Sequence, residues 1–218
     1  MSATLTTLRD RVEQILKDTA NSIWSTGDVD EGIRQALHEY SKVRALRAVG
    51  TITLTVDGRE ISLSTLTGLL GVQRIWCDYT ATDPEWPANE RPFEHWPDQV
   101  KIYVLGEYEP QSGDVVRVFY TKLQTLSGLD SAEATSFLDD DETLLATGAA
   151  GFAATSRAVD LAEQVTLDRL TSQQVRAWGM AKVQEFRAGL RVVARRQAYE
   201  GRSDVSLGPK DRHDGEWA

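Results

Sequence analysis

Asp139-Asp140-Asp141-Glu142-Thr143-Leu144-Leu145 and, three residues on, Gly148-Ala149-Ala150-Gly151-Phe152-Ala153-Ala154 open the stretch from Asp139 to Tyr199 whose reading decides the fold. Four carboxylates stand where a helix begins, and its free N–H groups and positive dipole end favour them there. Two glycines follow inside the helix, each costing about 1 kcal/mol relative to alanine. With the alanines around them they leave a smooth cylinder, which lets a second helix come near. After Gln164 the pattern breaks, and a second helix is predicted from about Thr171 to Tyr199. Thr171-x-x-Gln174 reads as a capping box. Val175, Trp178, Phe186, Leu190 and Val193 recur at helical spacing. Arg191, Arg195 and Arg196 suit a C-terminal dipole end. The stretch is therefore an αα-hairpin.

Working outward, residues 3–20 form a predicted amphipathic helix with Leu5, Leu8, Val12, Ile15 and Leu16 on one stripe. Ser25 is a predicted N-cap, with Asp28 three residues on. Trp24 before the cap and Val29 after it read as a hydrophobic staple. The helix that follows is predicted to reach about Leu46, so the N-terminus is a second αα-hairpin.

The period then changes. Thr51-Ile52-Thr53-Leu54-Thr55-Val56 alternates as a strand does, and Asp57-Gly58 is a type I′ hairpin signal. That turn predicts pairing of Val56 with Arg59, Leu54 with Ile61 and Ile52 with Leu63. Further strands are predicted over 72–79, around Phe93, over 100–105 and over 114–121. A segment with Pro84, Pro87, Pro92 and Pro97 cannot hold a central strand. The expected fold class is α+β: a bundle of two αα-hairpins with an inserted antiparallel β-domain and an extended C-terminal tail. The expected parts are 1–48 (helical hairpin), 49–122 (β-domain of five or six strands), 123–138 (return loop), 139–199 (second hairpin) and 200–218 (flexible tail).

The chain has 218 residues, 41% of them hydrophobic, and a net charge of -9. No apolar run approaches the roughly 18 residues a membrane helix needs, so no membrane partner is expected. No charged segment precedes an apolar one near Met1, so no signal peptide is expected. Cys77 is the only cysteine, which excludes an internal disulfide and a multi-cysteine zinc site. The acidic balance argues against a protein whose task is to grip nucleic acid.

No catalytic motif stands out, and no enzyme activity, cofactor or metal is expected. The run Asp139–Glu142 matches no calcium loop, and a helix N-terminus accounts for it. His38, His95 and His213 are scattered. Trp76, Trp86 and Trp96, with Tyr79, Phe93 and Tyr103, concentrate in the β-domain. Trp76 reads as core and the other two as pins for the proline-rich segment, with a stacking platform or protein interface as the sharper readings. Arg187, Arg191, Arg195 and Arg196 make a basic end to the last helix, suited to solvent, an acidic partner or DNA phosphates.

The order of several stretches resembles the head-to-tail adaptor (connector) proteins of tailed bacteriophages. They are Ile23-Trp24-Ser25-Thr26-Gly27-Asp28-Val29-Asp30-Glu31-Gly32-Ile33 with Ala36-Leu37-His38-Glu39-Tyr40-Ser41, then Gly71-Val72-Gln73-Arg74-Ile75-Trp76. Pro110-Gln111-Ser112-Gly113-Asp114-Val115-Val116-Arg117-Val118-Phe119-Tyr120 follows, and last the Gly148-Ala149-Ala150-Gly151 helix with its successor. The resemblance covers most of the chain to about residue 199. It implies a structural virion protein whose copies form a ring, typically twelvefold, beneath the portal. Such a ring extends the DNA channel, lets the genome pass without specific binding and offers a platform to a neck or tail protein. Assembly would occur in the host cytoplasm. The resemblance also implies that the tail docks on the portal, with Arg202, Lys210, Arg212 and Trp217 as contact residues. The rival readings are another neck or tail-completion (stopper-like) protein and, far behind, a carbohydrate-binding module or hydrolase.

Overall fold

The computed structural model describes residues 3–20, 23–80, 89–96, 99–163 and 169–200, with the side chains of 160–171 and 199–200 outside that description. Helices and strands are both present. In chain order they are α1 (Leu5–Leu16), α2 (Thr26–Val43), β1 (Leu46–Thr53), β2 (Glu60–Ser62), β3 (Leu69–Trp76), β4 (Phe93–Trp96), β5 (Lys101–Val104), β6 (Val115–Lys122), α3 (Glu142–Glu163) and α4 (Arg169–Glu200). The strands form two three-stranded antiparallel sheets, ordered β1-β6-β3 and β2-β5-β4. The chain divides into two compact units. One holds residues up to Leu5 with Leu37–Asp139, and the other holds Thr6–Ala36 with the described residues from Asp140 onward.

In the helical unit, α1 ends at Leu16, short of the predicted Ala20. Lys17 turns left-handed at φ 56°, and two bonds close the end: Asp18 N–H to Glu13 O at 3.0 Å and Lys17 N–H to Gln14 O at 3.2 Å. This is the Schellman pattern, formed here on lysine instead of glycine. The buried Asp18 carboxylate then accepts the Ile23 and Trp24 N–H groups at 2.7 and 2.9 Å. The cap of α2 is as predicted: Ser25 N–H donates to Asp28 at 2.9 Å, and Asp28 N–H donates to Ser25 Oγ at 3.2 Å. Trp24 and Val29 are both buried.

Helices α3 and α4 run antiparallel with their backbones in close approach, and glycine makes this possible. A Cβ on Gly148 would lie 2.7 Å from the Phe186 ring, and one on Gly151 would lie 2.8 Å from Val183 N. Gly179 faces Thr155 and Gly151 in return, and Gly189 faces Leu144. Gly32 of α2 admits the Ala149 carbonyl in the same way, 2.5 Å from where its Cβ would stand. Leu145, Ala146, Gly148, Ala149, Ala150, Gly151, Ala153, Ala154 and Ala158 are all buried, so α3 is covered around most of its circumference. Helix α4 opens at Arg169, which places Thr171 and Gln174 inside it, so the predicted capping box is not at its cap. Of the predicted stripe, Phe186, Leu190 and Val193 are buried, whereas Trp178 is 38% exposed.

In the other unit the predicted hairpin across Asp57-Gly58 is overturned. Strand β1 begins at Leu46 and pairs along its whole length with β6, from Leu46↔Lys122 to Thr53↔Val115. Beyond the strand, Leu54 continues with the same partner: its N–H reaches Asp114 O at 2.9 Å, and its carbonyl accepts from Gly113 N–H at 2.8 Å. The chain then crosses to the other sheet, where β2 pairs with β5. The hydrophobic alternation does not distinguish the two outcomes, because Leu54, Ile61 and Leu63 enter the same core either way. That core gathers Ile75, Val116, Val118 and Tyr120 from one sheet and Ile61, Ile102 and Val104 from the other. The segment 123–138 has no helix or named strand, yet it is anchored to the C-terminal part of α2. Gln124 N–H donates to Ser41 Oγ at 3.0 Å, and Gln124 Nε2 donates to Arg44 O at 2.7 Å. Phe137 packs edge-on to Tyr40 at 6.3 Å.

Candidate functional site

The sheet β1-β6-β3 carries its core on one side only. Along β6, Val116, Val118 and Tyr120 point inward, leaving Val115, Arg117, Phe119 and Thr121 on the opposite face. The register sets Val49 of β1 and Arg74 of β3 beside Phe119, Arg47 beside Thr121, and Trp76 beside Arg117. The side chains interlock. The Arg74 guanidinium lies 4.8 Å from the Phe119 ring centre, and Arg117 lies 4.6 Å from that of Tyr79, whose hydroxyl accepts from Arg117 at 2.6 Å. Trp76 and Phe119 are 4.6 Å apart. A guanidinium over a ring face gains roughly 0.5–2 kcal/mol and keeps its N–H edge for an oxyanion. The three strands contain Arg47, Arg74, Arg117 and Lys122 and not one carboxylate.

The sheet β2-β5-β4 differs in charge. Ile61, Ile102 and Val104 are buried. By the period-2 alternation of a strand, Glu60, Lys101, Tyr103, Glu94 and Trp96 lie on the other face. The register places Tyr103 between Glu60 and Glu94. Trp96 stacks on Tyr103 at 5.6 Å with planes 13° apart, and Lys101 meets Glu60 at 3.1 Å. Two carboxylates flank the end of the β1-β6-β3 sheet, Asp78 just past β3 and Asp114 just before β6. The Tyr108 hydroxyl lies 2.9 Å from Asp78 and 2.8 Å from Asp114. With one proton it donates to one carboxylate at a time. Burial and these two hydrogen bonds raise its pKa well above the usual phenol range.

The other candidates fall as follows. Asp141 meets Arg196 at 3.4 Å and Glu142 meets Arg11 at 3.1 Å, so cations of the helical unit answer carboxylates of the acidic run. Among the described residues no group of three or more His, Cys, Asp or Glu lies together as a metal site would require. His38 is exposed on α2, and His95 is half-buried on β4. Trp86, His213, Arg202, Lys210, Arg212 and Trp217 lie outside the described residues. Ile15, Leu16, Trp24, Val175 and Trp178 line an apolar hollow of about 330 Å³ in the helical unit.

Cys77 is buried, and burial pushes its thiol up to about 11. An unfolded chain ionises this thiol near its ordinary pKa, below the folded value, so its contribution to stability is lost as pH rises from about 9 to about 11. Alkylation at pH 8 is expected to be at least tenfold slower in the folded protein than in urea. Equal rates would contradict this placement.

The arginine face carries little signal in the sequence, because its members come from three strands joined only by pairing. Arg117-x-Phe119 and Arg74-x-Trp76 hint at it, each placing a cation two residues from an aromatic ring. No protein-family model matches the chain, and no curated protein matches it. Among the described residues, no helix is long and apolar enough to cross a membrane.

Proposed function

We propose that this chain is a structural virion protein, a head-to-tail adaptor of a tailed phage that forms a ring beneath the portal. The observation that carries this reading is the order of elements: two helices, six strands in two small antiparallel sheets, then two long helices in close antiparallel contact. In this reading α1–α2 and α3–α4 are two αα-hairpins of one bundle, and the strands are an insertion between them. The glycine contacts of α3 with α4 and with α2 support a stiff wall element, because close-packed backbones leave few alternative packings. The ring extends the DNA channel and presents the β-unit to the next neck or tail protein. The tail from residue 200 docks on the portal through Arg202, Lys210, Arg212 and Trp217.

The test is light scattering on a sizing column with the portal protein encoded by the same genome. The full chain is expected to comigrate with the portal at ring stoichiometry. A chain lacking residues 200–218 is expected to fold and to lose that binding. Failure of the full chain to bind would overturn the adaptor reading. Unchanged binding by the shortened chain would overturn only the role of the tail.

A further inference from the structure

Both sheets of the β-unit contribute their inward faces to one core, so their outward faces lie on opposite sides of it. One outward face carries Arg47, Arg74 and Arg117 on strands without a carboxylate. The other carries Glu60 and Glu94 flanking Tyr103, with Lys101 paired to Glu60 at 3.1 Å and Glu94 left as the uncompensated charge among them. Arg47, Arg74, Glu60 and Glu94 are all exposed. A closed ring needs two different and complementary patches on each copy, because its contacts are heterologous. We infer that a second copy of this chain docks here, the arginine face of one β-unit meeting the Glu60–Tyr103–Glu94 face of the next. This inference rests on the ring reading and names the surfaces that make the ring.

Three features favour a protein occupant over a nucleic acid. The arginine face has the composition of a protein interface, enriched in Arg and aromatic residues with Asp and Glu depleted. Its aromatic faces are already covered by the guanidinium groups of Arg74 and Arg117, which leaves them poorly placed to stack a base. The complementary charge is present on the same molecule, within a chain of net charge -9 that repels a phosphate backbone at long range.

The experiment reverses charge on one face at a time in the full chain. One variant carries Arg47→Glu with Arg74→Glu, and the other carries Glu60→Lys with Glu94→Lys. Self-association is followed by light scattering, alone and with the portal protein. Each variant alone is expected to lose self-association on the order of 100-fold relative to wild type. An equal mixture is expected to recover self-association, because each variant keeps one intact face for the other and the two reversed faces are themselves opposite in charge. A milder pair, Arg47→Ala with Arg74→Ala, is expected to weaken assembly in the same direction, and near-UV circular dichroism checks that every variant folds. Rings formed by both reversed variants as by wild type would overturn these surfaces and leave the ring reading standing. A wild-type chain that neither self-associates nor binds the portal would overturn the ring reading and this inference together. Salt-dependent binding of duplex DNA that the arginine variants lose, with self-association unchanged, would reassign the face to nucleic acid and overturn the inference.

Discussion

Phe186→Ala is expected to lower the stability of the folded protein by about 3–5 kcal/mol, the range for removing a buried aromatic ring. Phe186 is fully buried on α4 and meets Phe152 edge-on at 6.2 Å. Its ring lies against the bare backbone of Gly148, where a Cβ would come within 2.7 Å. On the Gly148 side the flanking surface is bare helical backbone, which has no side chain to move into the space left behind. The cavity therefore stays open, and the cost falls toward the upper part of the range. Urea unfolding of the two proteins checks it, with the midpoint falling and the slope unchanged. A loss below about 1 kcal/mol would mean that α3 and α4 are not held together at this point.

Gly151→Ala is expected to destabilise even though alanine is the better helix former. Helix propensity alone predicts a gain of about 1 kcal/mol. Against it, the new Cβ would meet Val183 N at 2.8 Å and Gly179 O at 3.0 Å. Both are backbone atoms of the facing helix, so relief requires α4 to move as a body. Overpacking of this kind costs about 1–3 kcal/mol, and because the clash is with backbone the upper part of that range applies, for a net expected loss of up to about 2 kcal/mol. Gly27→Ala is the contrasting substitution. It also lies in a helix, but its Cβ would meet only Ser25 Oγ at 3.6 Å, so a gain of up to about 1 kcal/mol is expected. Opposite signs at the two sites, read from thermal midpoints, are the outcome that supports glycine as the reason for the close helix contact. A gain at both sites would refute it.

Much of the helical part was legible in the residues. Gly148 and Gly151 break helix propensity without ending the helix, and such a contradiction signals a close neighbour. Ser25 and Asp28 form their cap within four residues, so neighbouring sequence is enough to predict it. The end of α1 was less legible, because Lys17 takes a left-handed conformation that glycine more often supplies. In the β-unit the strongest local signal points to the wrong partner. Asp57-Gly58 is a good turn signal, and the residues on both sides alternate correctly, yet the strands belong to different sheets. The segment 123–138 is held by the pairing of Gln124 with Ser41 and Arg44, which spans some eighty residues and leaves no local trace.

The sequence by itself determined which segments are helical and which extended, which face of most of them is apolar, and where the helix backbones are bare enough to approach. Those properties follow from the side-chain period and from propensities within a few residues. Only the tertiary structure decided which strand lies beside which. Backbone hydrogen bonding is the same for every partner, and an alternating strand fits any sheet with an apolar core. That choice brought Arg47, Arg74 and Arg117 from three distant strands onto one face and set Glu60 and Glu94 on the face opposite.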